Sequence, residues 1–294
     1  MKGFVQWVLA QRYRPVVLAI FLVTVPLVSF VSTALMTLET LRRGGQHGLI
    51  SAVVATIGAS MLGLFWGVSS LSFTFAIGAT LLAGVGLGVA LRRTGTLASV
   101  FQGLVLLCLT GAALAGLLWS ESLMLMTPIV DQGISWLRAT GASDSQINDI
   151  VEGWDRLFIG FMTLGIFIQL MVPLLLGSWW AALLNTEPQF GHQFRELQLG
   201  RFLGIPGTLF MAVSLVFDGP VIQNLFPLVL FGFWFQGVSV VHAWGKARQW
   251  GRGVIAAMYV LLVPPFTGVT LFALASVGLL DNWINLRAPL HKKN

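Results

Sequence analysis

Gln169 stands near the middle of an uncharged run that extends from Asp155–Arg156 to Glu187, and Gln236 stands inside another beside Phe233, Trp234 and Phe235. Gln223 and Asn224 fall near the start of that second run, and Gln102 near the start of a third. An amide left without a partner in hydrocarbon costs several kcal/mol, so each of these groups must bond to something. One answer is a bond across a helix interface, worth about 0.6 kcal/mol on average. The other is a bound molecule. In that case Gln169, Gln223, Asn224, Phe233, Trp234 and Gln236 form a pocket with an aromatic wall and convergent amides, suited to a small neutral or aromatic ligand. The sequence leaves both answers open. The pocket reading requires Gln169, Trp234 and Gln236 to share one central cavity.

Catalytic chemistry has little to work with. His47, His192, His242 and His291 show no His-x-x-x-His spacing, and Cys108 is the single cysteine, so neither a metal site nor a cofactor is expected. Cys108 lies mid-run and reads as a small buried hydrophobe rather than a reactive thiol. Ser69–Ser70 have no histidine nearby in sequence, and no Gly-x-Ser-x-Gly elbow exists. Asp131, Asp144, Asp149, Glu152 and Asp155 read as a solvated face. No Gly-x-x-x-x-Gly-Lys-Ser/Thr loop is present, so energy for any active transport would come from another protein. The expectation is a non-enzymatic protein.

The segment Phe190-Gly191-His192-Gln193-Phe194-Arg195-Glu196-Leu197 puts Phe190, Phe194 and Leu197 on one helical face, with His192 and Glu196 four apart and able to pair. It either anchors the chain at the membrane surface or docks a membrane or cytoplasmic protein partner through Phe194, Arg195, Leu197 and Arg201.

The elements that position these residues follow from charge spacing. Only 10% of the 294 residues are charged, mean hydropathy is +0.84, and no Lys, Arg, Asp or Glu occurs between Arg43 and Arg92 or between Arg252 and Asp281. Each of the 17 basic and 11 acidic side chains can be placed at the edge of a long apolar run. A bilayer core takes about 20 apolar helical residues to cross. Little chain is left over for a soluble domain. The chain therefore reads as a single integral membrane domain over 1–294: an all-α, polytopic transmembrane bundle of about eight hydrophobic segments, at roughly 16–38, 48–66, 73–91, 97–119, 157–184, 202–217, 221–244 and 253–280. The first run, at about 23 residues, exceeds a signal-peptide core and reads as a retained span. Ahead of it, residues 2–14 read as a short interfacial helix ended by Pro15.

Net charge is +6, but the basic residues come in small groups at span ends rather than on one continuous face, which suits anionic lipid and excludes a nucleic-acid footprint. The basic linkers 39–48, 92–96, 185–201 and 245–252 are expected in the cytoplasm. Residues 120–156 and Asp218 are expected outside. Residues 120–156 carry six carboxylates against two arginines, with Thr127–Pro128 opening an amphipathic helix and Ser143 and Gln146 in a capping-box pattern. Pro26 and Pro264–Pro265 interrupt the first and last segments, each of which either crosses or breaks and re-enters on its own side; both termini are expected on the same side. Thr80, Gly84 and Gly88, and Gly111/Ala115 with Ala112/Gly116, are expected to allow close helix packing. Trp66, Trp119, Trp154, Trp179, Trp180, Trp244 and Trp283 read as an interfacial belt.

In LETLRRGGQHGL (38–49), FRELQLGR (194–201), FWFQGVSVVH (233–242) and VGLLDNWINLR (277–287), the chain resembles the YybS-like family of bacterial inner-membrane proteins, over essentially its whole length and in span order. That family is grouped at fold level with the substrate-binding S components of energy-coupling-factor (ECF) transporters. The resemblance implies a membrane-embedded substrate-binding or transport-related subunit that needs partners. S components commonly have six spans, against about eight segments here. The competing expectation is a structural or regulatory membrane protein that binds a protein partner and transports nothing.

Overall fold

The computed structural model describes residues 1–67, 70–118, 127–185 and 189–288, without the side chains of 26, 127–129 and 252. Ser69, Trp119, Glu121, Glu187, His291 and Lys292–Lys293 lie outside the described residues, as do the side chains of Thr127–Pro128. The described residues are helical, with thirteen α-helices among them. Six are long and apolar enough to cross a bilayer: Gly45–Phe65, Leu71–Thr94, Leu97–Leu118, Asp144–Ala182, Pro220–Ala247 and Thr267–Ile284. The chain is a polytopic helical membrane bundle. It divides into two compact units, 1–104 with 168–197, and 105–167 with 198–294.

In the first unit, α1 (Lys2–Ala10) buries Val5 and Val8 and ends at extended Gln11, ahead of Pro15. The first apolar run is not one helix. α2 (Tyr13–Val23) stops, a 3-10 turn covers Pro26–Val28, and α3 (Ser29–Arg43) runs back antiparallel to it. Proline has no N–H to continue a helix and holds the residue before it extended, as Val25 is. The reversal shows in two bonds: Ser32 Oγ donates to the Ala19 carbonyl at 3.3 Å, and Arg43 donates to the Leu9 carbonyl at 2.7 Å. Gly44, at φ 98°, then turns the chain directly into α4 (Gly45–Phe65), which is followed by α5 (Leu71–Thr94).

α3 is the centre of this unit. Nine successive residues, Ser32–Thr40, are buried, so it has no lipid-facing side. Its hydroxyls need acceptors at that depth, and those of Ser32, Thr33 and Thr37 find backbone carbonyls. Thr37 Oγ1 lies 3.0 Å from the carbonyls of both Thr33 and Gly84, and Thr33 donates to the Thr80 carbonyl at 3.4 Å. Such approach needs bare backbone opposite. A Cβ on Gly84 would strike the Thr33 carbonyl, and one on Gly88 would fall 2.6 Å from Thr40 Cβ. The Thr80/Gly84/Gly88 stripe thus has the packing role that its spacing predicts.

In the second unit, Ser143 and Gln146 form the expected capping box: the Ser143 N–H donates to Gln146 Oε1 at 2.9 Å and the Gln146 N–H to Ser143 Oγ at 3.3 Å. The box starts α8 (Asp144–Ala182), a single 39-residue helix whose first part, to Phe167, belongs here and whose remainder belongs to the first unit. α10 (Gly200–Val213) and α11 (Pro220–Ala247) follow, joined through Asp218-Gly219. The last apolar run again breaks at proline. α12 (Arg252–Val260) lies antiparallel to α11, with Tyr259 against His242, and α13 (Thr267–Ile284) returns parallel to it. Gln236 meets Asp281, and eight residues further along α11 the Trp244 indole donates to the Leu286 carbonyl at 3.2 Å. Residues just beyond α13 therefore lie at the same end of α11 as the 245–252 linker. α11 and α13 touch through bare backbone, Gly237 against the Leu274 carbonyl and Gly278 against the Phe233 carbonyl.

Candidate functional site

Within the second unit, a cavity of about 410 Å³ opens among α8, the end of α10 and the start of α11. Phe161, Phe226 and Phe231 give it phenyl surface, and Leu157, Leu164, Ile222 and Leu230 complete its apolar lining. Its polar groups are Ser214, Asp218 and Gln223. Gln223 Nε2 donates to Asp218 Oδ1 at 2.7 Å, and Ser214 Oγ donates to the Met211 carbonyl at 2.8 Å. Pro227 also lines the space, and having no N–H it leaves the Gln223 carbonyl without its helical donor. Of the residues singled out from sequence, Gln223 reaches this cavity. Its neighbour Asn224 does something different. Asn224 Oδ1 accepts from the Gly160 N–H at 2.8 Å and its Nδ2 donates to the Pro220 carbonyl at 2.8 Å, clamping α8 onto α11. A Cβ on Gly160 would lie 2.6 Å from the Asn224 carbonyl oxygen, so the clamp depends on glycine.

Gln236 is fully buried, with its polar atoms bonded to protein. Its Oε1 accepts from the Leu199 N–H at 2.9 Å and from Asn282 Nδ2 at 3.2 Å, and its Nε2 donates to Asp281 Oδ2 at 2.9 Å. Arg287 pairs with the same Asp281 oxygen at 2.9 Å, both side chains being under a tenth exposed. This node ties the chain before α10, α11, α13 and the residues after α13 to one another. Phe233, also fully buried, borders a different, apolar cavity of about 450 Å³ with Val105, Leu203, Phe210 and Val229. Trp234 meets Phe231 at a tilt and Phe235 edge-on, with ring centroids at 5.6 and 4.8 Å.

Gln169 belongs to the first unit, where its Nε2 lies 3.5 Å from Ser29 Oγ. Three arginines gather at one end of that unit and fill orphan carbonyls of helix C-termini. Arg42 donates to Ala181 in the last turn of α8 at 2.5 Å, Arg92 to Leu41 in the last turn of α3 at 2.8 Å, and Arg43 to Leu9 in α1. Arg43 also pairs with Glu39 at 2.9 Å. Beside them is a polar cavity of about 310 Å³ lined by Arg42, Asn185, Gln189 and Gln193. α9 (Gln189–Arg195) covers part of the expected amphipathic segment, stacks Phe190 on Phe194 at 6.0 Å, and places His192 Nδ1 3.2 Å from Glu196. Phe194 and Arg195 are half-buried, and Leu197 is fully buried. Arg201, on α10, is exposed and belongs to the second unit.

Three placements differ from what sequence suggests. Glu39, Asp281 and Arg287, which stand at span edges in sequence, are 2%, 6% and 7% exposed, so ionisable groups do lie inside this protein. Trp180 is buried against Phe4 rather than standing in an interfacial belt, while Trp66, Trp154 and Trp283 are exposed. Gly111 and Gly116 face open space rather than another helix. Among the described residues no group of three or more His, Cys, Asp or Glu side chains is placed to hold a metal ion.

No curated protein and no solved structure matches the chain. The model of one family, Predicted membrane protein (DUF2232), matches residues 15–282, from the first broken helix to the buried Asp281 node, and the chain belongs to that family.

Proposed function

We propose that this protein is a non-enzymatic, membrane-embedded binding subunit of the bacterial inner membrane, related to transport and dependent on partner proteins for energy. One observation carries the reading: the 410 Å³ cavity of the second unit, with Gln223 and Asp218 beside three phenyl rings. Its volume falls in the range of small-molecule sites, about 300–1,000 Å³, and its composition, apolar walls with a few polar groups, is theirs as well. The cavity is lined from the Asp218 turn and the first half of α8, in or next to the acidic segments of the chain that are expected outside the cytoplasm from their charge. A ligand captured there arrives from outside. The likeness to the YybS-like family, and through it to S components, points the same way. The buried Gln236 node and the Gln169–Ser29 contact serve in this reading as scaffold rather than as ligand contacts.

The test is purification of the full chain from its native membrane, with mass spectrometry of small molecules released on denaturation. A small molecule retained by the parent chain and lost in Leu157→Trp, which fills the cavity, supports the reading provided that melting is unchanged. Equal retention by both chains, or none by either, overturns it. Co-purifying proteins separate the roles: an ATPase with a membrane coupler supports transport, and a single soluble partner supports the structural or regulatory alternative.

A further inference from the structure

The hydrogen-bonding sense of the same cavity is one-sided. Asp218 offers a carboxylate, an acceptor only when ionised. Gln223 is an amide that could have presented either sense, but its Nε2 is committed to Asp218 Oδ1, leaving Oε1 as the atom available to a guest. Ser214 could likewise have donated, but its proton goes to the Met211 carbonyl, leaving oxygen lone pairs. Among the described residues, no Lys, Arg or His lines the space. The remaining surface is phenyl and aliphatic, and the face of a phenyl ring carries partial negative charge. Carboxylate, acceptor oxygens and ring faces together favour a guest that is rich in donors, positively charged and otherwise apolar.

We propose that the cavity recognises a small organic cation: an ammonium group against Asp218, oriented by Gln223 and Ser214, with an aromatic or aliphatic body among Phe161, Phe226 and Phe231. This rests on the cavity being a ligand site, as proposed above, and adds the charge of the ligand. A neutral aromatic molecule would leave the Asp218 charge without a counterpart, and an anion would meet repulsion from it.

Three probes that differ only in their terminal group separate the possibilities. Tryptamine is a cation at neutral pH, tryptophol its neutral alcohol and indole-3-propionate an anion. Equilibrium binding of each to the full chain in lipid nanodiscs is expected to rank tryptamine at least tenfold tighter than tryptophol, with indole-3-propionate weakest. Asp218→Asn keeps the size and the turn but removes the charge, and should cut the tryptamine preference over tryptophol to less than threefold without weakening tryptophol. Tryptophol or indole-3-propionate binding as tightly as tryptamine, with displacement by Leu157→Trp, would overturn the cation proposal and leave the ligand site standing. Binding of none of the three, or binding untouched by Leu157→Trp, would overturn both. The ranking on the unsubstituted chain decides the question even if Asp218→Asn does not fold.

Discussion

At the scale of single residues, membrane-depth amides were visible in sequence but their roles were not. Gln169, Gln223, Asn224 and Gln236 look alike in a hydropathy pattern, because each is one polar group in an apolar run. What distinguishes them is which bare backbone or side chain comes opposite, and that depends on contacts dozens of residues away, such as Asn224 with Gly160 or Gln236 with Asp281. The structure thus makes different predictions for them. Gln236→Leu strips a partner from the Leu199 N–H and from a buried carboxylate, and is expected to cost about 2 kcal/mol of stability. Gln169→Leu gives up one long contact to Ser29, at the cost of about 0.6 kcal/mol. Asp281→Ala should be the most damaging of the three, at about 3–5 kcal/mol, because it leaves Arg287 buried without its carboxylate. Unfolding in graded denaturing detergent measures all three. An order in which Gln169→Leu is worst would contradict the assignment of Gln236 and Asp281 to one structural node.

At the scale of elements, the apolar runs gave the long helices, and breaks fall at Pro26 and Pro264–Pro265. Pro173, Pro206 and Pro227, however, lie inside continuous helices, so a proline marks a candidate break that packing then decides. Depth was less legible. Glu39 and Asp281 sit near the ends of α3 and α13, and sequence alone puts a residue near a span end in the headgroup layer. α3, however, is enclosed by its neighbours, and α13, though mostly exposed, turns the one face that carries Leu274, Gly278 and Asp281 onto α11, so an end in sequence becomes an interior in space. The same limit applies to glycine. Gly84 and Gly111 share one sequence context, small residues four apart in an apolar helix, yet the first faces a carbonyl and the second faces open space, while Gly278, with Leu274 and Asn282 four away, lacks that context and still meets a carbonyl. Gly278→Ala should therefore destabilise by about 1–3 kcal/mol through collision with the Phe233 carbonyl. Gly111→Ala should be neutral or slightly stabilising, as alanine is the better helix former. Thermal melts of the two variants in the same detergent compare them directly; equal losses would mean that α6 (Leu97–Leu118) has a packing partner at Gly111.

At the scale of the whole molecule, the two hairpins bear on an ambiguity that positive charge alone leaves open. If the first and last apolar runs each crossed once, both basic termini would lie opposite the basic linkers. Instead α2 and α3 return residues near Leu9 to the end that carries Arg43, and α12 and α13 return residue 286 to the end of α11 beside Lys246 and Arg248. If neither hairpin adds a net crossing, α4, α5, α6 (Leu97–Leu118), α8, α10 and α11 are left to cross, an even number, although α10 has only 14 residues and α13, in the hairpin, is itself long enough to span. The expected outcome is that both termini share the side of the linkers at 185–201 and 245–252. A chain without Cys108, carrying a single cysteine at Gly3, Gln198, Gln249, Asp144 or a position appended after Asn294, tests this in intact cells with a membrane-impermeant thiol reagent. Labelling is expected at Asp144 and at none of the others until the cells are opened. Labelling at both Gly3 and the appended position, with Gln198 and Gln249 protected, would mean that the first and last runs cross. In that case the arginines that cap α1, α3 and α8 could not meet at one end of their unit, and the hairpin topology would fall with them.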